Sequence, residues 1–164
     1  MIEPPSEAGN VPRVTFVDLY DANYRRMVQV ARLTTGSTTL AEELVQDAFA
    51  DVLCRFDEVR APEAYLRRAV MSRCTSWVRR RAVERRHGER LRAEVPHWSD
   101  SATVEVMDAI GRLSTRQRAA IVLRYFGDWS EREIADALGC RPGTVKSLLS
   151  RATTQLTKEL KDEH

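Results

Sequence analysis

The chain has 164 residues, 43% of them hydrophobic and 30% charged, a soluble globular profile with enough apolar material for a core. No apolar run reaches the roughly 18 residues that a membrane-spanning helix needs. The opening MIEPPSEAGNVPR is acidic and proline-rich rather than apolar, which excludes a signal peptide and leaves the cytoplasm as the expected location.

The net charge is only +2, but it is unevenly distributed. Between Ser37 and Val59 six acids (Glu42, Glu43, Asp47, Asp51, Asp57, Glu58) stand against Arg55 alone. Between Arg60 and Arg92 eleven arginines stand against Glu63, Glu84 and Glu89. An acidic block followed by a basic one suggests two partners, one of them a polyanion.

Glycine is rare and no segment alternates with period two for long, so the chain reads as all-α. Residues 1–13 read as a disordered tail. Phe16, Leu19, Tyr20, Tyr24, Met27, Val30 and Ala31 fall at helical spacing and predict a first helix ending near Gly36. Thr39-Leu-Ala-Glu42 offers a capping box for a second helix running to about Phe56. Its apolar residues cover a wide arc, which suits either a partner protein or burial between two helices of its own bundle. Pro62 suits the first turn of a third helix, apolar through Tyr65, Leu66, Ala69, Val70, Cys74, Trp77 and Val78, with most of its arginines off that face. Residues 87–101, with Gly88, Pro96 and a Ser-Asp-Ser run, read as a flexible linker that also holds Trp98.

Beyond the linker, Val104 to Leu113 is amphipathic, and Ser114-Thr-Arg-Gln117 caps a helix through Phe126. Ser130-Glu-Arg-Glu133 caps another that stops at Gly139, and Pro142 opens a last helix to about Leu160. The two final helices follow helix-turn-helix logic. Ala135 permits close crossing, Gly139 can take the positive φ of a tight turn, and Val145 plugs the second helix onto Ile134 and Leu138. In that geometry the second helix reads base edges from the major groove while flanking groups hold phosphates. Arg141, Thr144, Lys146, Ser147, Ser150 and Arg151 are placed to do so.

With these features assembled, LSTRQRAAIVLRYFGDWSEREIADALGCRPGTVKSLLSRA resembles region 4 of extracytoplasmic-function (ECF) sigma factors, the promoter-recognition subunits of bacterial RNA polymerase. AEELVQDAFADVLCRFD resembles their region 2.2 and PEAYLRRAVMSRCTSWVRRR their regions 2.3 to 2.4. The likeness spans about Phe16 to Leu160 in order and is nearest the small actinobacterial SigE-type branch. It implies two small helical domains, a region 2 bundle over 14–86 and a region 4 helix-turn-helix over 102–164. By the resemblance, Leu44, Gln46, Asp47, Phe49 and Leu53 dock on the coiled coil of the polymerase β′ subunit, with the β subunit also in contact. Arg60, Tyr65, Arg68, Ser72, Arg73, Arg79 and Arg80 capture and unpair the −10 element, where single-stranded bases need a cationic groove and a pocket for an extruded base. The six polar residues of the last helix read the −35 element.

Four positions depart from the family pattern. Ser72 stands where Asn is frequent and Ser76 where Asp is. Arg141 replaces the Ser that caps the recognition helix, a change worth about 1 kcal/mol, and Leu148 replaces a common Arg. An anti-sigma protein is a further partner of the family, and with no long C-terminal extension expected, it would act on the two domains themselves. The rival reading is a two-domain helix-turn-helix regulator that never binds polymerase core, but a sensor domain has no need of eleven arginines beside the linker. His87, His97 and His164 lie apart from any nucleophile or ligand set, and Cys54, Cys74 and Cys140 lack ligand spacing. Neither enzyme activity, nor a metal or cofactor, nor a small-molecule substrate is expected.

Overall fold

The computed structural model describes residues 13–86 and 101–162, all of whose regular elements are helices. They are α1 (Phe16–Thr35), α2 (Thr38–Arg55), α3 (Pro62–Arg86), α4 (Ser101–Arg112), α5 (Thr115–Tyr125), α6 (Glu131–Leu138) and α7 (Pro142–Asp162). Residues 87–100, and Trp98 with them, lie outside the described residues; Ser101, expected in the linker, opens α4. No described helix is long and apolar enough to cross a membrane.

Local chemistry sets the ends of these helices. Thr15 caps α1 in a reciprocal box with Asp18, and Gly36 closes it at φ 78°, in the left-handed region that glycine enters without a Cβ penalty. The expected Thr39 box does not form. Ser37 caps α2 instead, its hydroxyl accepting from the Leu40 N–H, because the helix starts two residues earlier and Thr39 is already helical. The Ser114–Gln117 and Ser130–Glu133 boxes both form as expected.

α1, α2 and α3 make one bundle, whose interior holds Leu19, Met27, Ala31, Ala41, Leu44, Val45, Ala48, Phe49, Val52, Leu66, Val70 and Cys74. The three helices pack pairwise on one another, so most of the wide apolar arc of α2 is consumed inside the bundle, while Leu53 stays exposed. An aromatic group closes one end: Phe49 meets Phe16 edge-on at 6.1 Å and Tyr20 at 4.8 Å, and Phe16 meets Phe56 at 5.9 Å. α4 to α7 form the second half, which packs against the first bundle. Val30 and Leu33 of α1 and Met71 and Val78 of α3 join Ile110, Val122, Leu123, Trp129, Ile134, Leu138 and Val145 in a single buried cluster. α5 packs on α1 and α3, and α6 packs on α3. Four large apolar side chains of the first bundle would otherwise face water, and their burial against the second half is the gain that holds the halves together.

Candidate nucleic-acid interface

The helix-turn-helix is built by α6 and α7. At the start of α6 the Ser130 hydroxyl accepts from the Glu133 N–H (3.2 Å) while the Glu133 carboxylate accepts from the Ser130 N–H (2.9 Å) and hydroxyl (3.0 Å). These bonds, led by the backbone N–H, hold the Glu133 carboxyl below its ordinary value. At the other end Gly139 adopts φ 63° and Cys140 donates back to the Ala135 carbonyl at 3.0 Å, while Arg116 donates to the Leu138 carbonyl at 3.1 Å. The turn therefore leaves few unpaired carbonyls. Ile134, Ala135, Leu138 and Val145 are buried, as the crossing requires.

Along α7 the buried or half-buried residues Val145, Leu149, Ala152 and Leu156 recur at helical spacing and form the inner face. Arg141, Thr144, Lys146, Ser147, Ser150 and Arg151 are all exposed, with Thr144, Ser147 and Arg151 sharing a stripe. Leu148 is half-buried against the core, so an arginine's charge is absent from that edge of the helix. Arg141 contributes its backbone carbonyl to the first turn, accepting from Thr144 and Val145. Its side chain is exposed.

On α3, Tyr65, Arg68, Ser72, Ser76 and Arg79 follow one another at i, i+3 and i+4 on one face, flanked by Arg73 and Arg80. Tyr65 is half-buried; Arg68, Ser72, Arg79 and Arg80 are exposed. Arg73 is paired with Asp51 of α2 and also donates to the Ala69 carbonyl, so its guanidinium is steered toward α2. Arg79 and Arg80 line an open groove of about 650 Å³ with Ser76, Val83 and Glu84. Arg60 lies off the helix in the α2–α3 turn. There it lines a cleft of about 550 Å³ with Arg13, Val14, Phe56, Asp57, Glu58, Val59 and Pro62.

The five α2 residues separate into two groups. Gln46, Asp47 and Leu53 are exposed, Leu53 by 56%. Leu44 and Phe49 are buried, Phe49 with only 3% exposure, and serve the bundle's own interior. Sequence reasoning passed over Trp129 and Glu133 as partners of α3: Glu133 lies 3.6 Å from Arg68, whose guanidinium sits 5.3 Å from the Trp129 ring centre. The available signal was Met71, an apolar residue outside the face read for the third helix.

Comparison with known proteins follows this division. Residues 19–84 match the Sigma-70 region 2 family and residues 103–156 the Sigma-70 region 4 family. An RNA polymerase sigma-E factor of Streptomyces coelicolor is 36% identical over 143 residues, covering 82% of this chain and 79% of the relative. The ECF RNA polymerase sigma factor SigM of Mycobacterium tuberculosis is 31% identical over 157 residues, covering 90% and 78%. Among solved structures, the sigma factor RpoE of Bartonella quintana, in complex with the anti-sigma factor NepR, aligns with a TM-score of 0.58 at 24% identity. That alignment covers 91% of this chain and 98% of its counterpart. The chain thus belongs to the sigma-70 family, in its extracytoplasmic-function branch of RNA polymerase sigma factors.

Proposed function

We propose that this chain joins RNA polymerase core and directs promoter-specific initiation, reading a −35 element with α7 and holding the melted −10 strand along α3. The carrying observation is that one chain presents two separate DNA-competent faces, one in each sigma-70 region. The polar face of α7 is fully exposed and flanked by cations, as major-groove reading requires. The α3 stripe joins cations to Tyr65, the combination that grips unpaired strands, and the cleft beside Arg60 is large enough to receive an extruded base. Gln46, Asp47 and Leu53 on the outer face of α2 form the docking surface for the β′ coiled coil, and the polymerase supplies the chemistry. Residues 14–86 and 102–164 then act as two domains whose spacing the core sets, and an anti-sigma protein is a candidate regulator of both.

The test is run-off transcription with purified actinobacterial core polymerase on a template library randomised across the promoter region. Transcripts should start at defined positions downstream of a selected pair of elements. If no promoter-dependent transcript appears while a reference sigma factor supports one with the same core, the proposal fails.

A further inference from the structure

A cavity of about 260 Å³ lies where the last turns of α3 meet the start of α5, lined by Val78, Arg81, Ala82, Arg86, Thr115 and Arg116. None of these residues belongs to the −35, −10 or docking sets. Three of them are arginines. Arg81 is held in place: its side chain is only 12% exposed, its guanidinium lies 5.8 Å from the Trp77 ring centre, and it meets Glu84 at 3.5 Å. Arg116 is half-buried and anchored by a 3.1 Å donation to the Leu138 carbonyl, which uses one of the donors of its guanidinium fork. Arg86 is exposed.

α5 begins at this wall. The Ser114 hydroxyl accepts from the Gln117 N–H at 3.3 Å and the Ser114 carbonyl from the Arg118 N–H at 2.9 Å. The N–H groups of Thr115 and Arg116 therefore have no acceptor within the helix, and they carry the positive end of its dipole. The Thr115 side chain adds an independent sign. It is buried, at 7% exposure, and lines the cavity, yet its hydroxyl makes no hydrogen bond to any described residue. The other buried threonines, Thr34, Thr35 and Thr75, each donate to a backbone carbonyl one helical turn back. A buried hydroxyl without a partner is costly, and Thr115 turns its hydroxyl toward three cations instead.

We propose that this cavity binds a small phosphate-bearing anion of about the size of pyrophosphate. Guanidinium forks match phosphate oxygens, while Thr115 and the start of α5 supply short-range donors. Three arginines against Glu84 leave a surplus of positive charge that a multiply charged anion neutralises. Size sets the class. The cavity falls below the roughly 300–1,000 Å³ of sites that enclose a drug-sized ligand, so it takes a diphosphate group and leaves any attached nucleoside outside. Because its walls come from two helices, the bound anion braces α3 against α5 and raises the melting temperature.

Isothermal titration of the full-length chain with pyrophosphate, in chloride buffer of matched ionic strength, should give one site per chain. At about ten times the measured Kd the melting temperature should rise by about 3–6 °C. Arg86→Gln should weaken binding at least about fivefold, as expected for a lost charge-assisted hydrogen bond. Thr115→Val should weaken it comparably, while the ligand-free variant melts no lower than wild type, since the hydroxyl it loses has no partner. Lys158→Gln removes an exposed cation of α7 outside the cavity and should leave Kd unchanged. A parallel titration with ATP tells the free anion from the phosphates of a nucleotide: similar Kd values admit both, and binding of pyrophosphate alone confines the site to the free anion.

Absence of binding beyond the chloride control would overturn the proposal. So would a loss in Lys158→Gln equal to that in Arg86→Gln, which marks diffuse attraction to a basic surface, or wild-type affinity in Thr115→Val. If Arg86→Gln melts below wild type, Thr115→Val and Lys158→Gln decide between them.

Discussion

Phe49 and Leu53 sit one helical turn apart on α2, yet the structure assigns them opposite consequences. Phe49 is 3% exposed and touches Phe16, Tyr20 and Tyr24 at ring distances of 6.1, 4.8 and 6.2 Å. Truncating a buried phenylalanine costs about 3–5 kcal/mol through lost transfer energy and the cavity left behind, and the aromatic pairs place this site toward the upper end. Against a total stability of about 5–15 kcal/mol, that is a large share. At roughly 2–4 °C per kcal/mol for a chain of this size, Phe49→Ala should lower the melting temperature by about 6–20 °C. Leu53 is 56% exposed, so Leu53→Glu should stay within about 0.5 kcal/mol of wild type and shift the melt by no more than about 2 °C. Affinity should move the other way. An apolar anchor replaced by a charge at a docking surface costs at least about 1.4 kcal/mol, tenfold in Kd, so Leu53→Glu should lose core polymerase while remaining folded. Melts followed by circular dichroism, paired with titration of labelled protein against core polymerase, separate the two effects. A Phe49→Ala protein that melts like wild type and loses only core affinity would refute the packing argument. A Leu53→Glu protein that binds core normally would refute the docking face.

Lys146→Ala and Arg151→Ala should each weaken binding to the selected −35 duplex by about 1–3 kcal/mol where they meet a base. A residue that meets only phosphate should instead weaken all sequences alike and flatten the salt dependence, so a set of mismatched duplexes distinguishes the roles. Acid should loosen two helix starts. The Asp18 carboxyl is held low by the Thr15 hydroxyl and then its backbone N–H, and the Glu133 carboxyl by the Ser130 N–H and hydroxyl and then Arg68. Because both folded values lie below the unfolded ones, their stabilisation is complete above about pH 4.5 and is lost as pH falls through the folded values. The melting temperature should therefore drop as pH falls below about 4.5, and less steeply in Glu133→Gln; an equal slope would refute the Glu133 contribution. Thiol labelling of the native chain should modify exposed Cys54 readily. Cys74, buried and with its thiol pushed up to about 12 by desolvation, should react only on unfolding. Prompt labelling of Cys74 would show that the bundle opens.

Much of this molecule was legible along the chain because its signals are local. Ser114, Ser130, Gly36 and Gly139 punctuate helices through bonds to residues three or four positions away, and the Val145, Ile134 and Leu138 crossing follows from spacing alone. Ser37 displaced Thr39 as a cap because two neighbouring hydroxyl residues compete for the same helix start, and the path of the chain out of the Gly36 turn decides between them. The polar face of α7 and the arginine stripe of α3 were equally plain, since helical periodicity determines which side chains share a face. Periodicity does not say what covers a face. It could not divide the apolar arc of α2 into Phe49, consumed by Phe16 and the two tyrosines, and Leu53, left in solvent. Nor could it pair Arg73 with Asp51 or Arg68 with Glu133, contacts that span 22 and 65 positions of sequence and exist only once the helices are packed. The union of the two halves around Val30, Leu33, Met71 and Val78 is of the same kind, for burial is a property of neighbours in space, and no local pattern records which neighbour arrives.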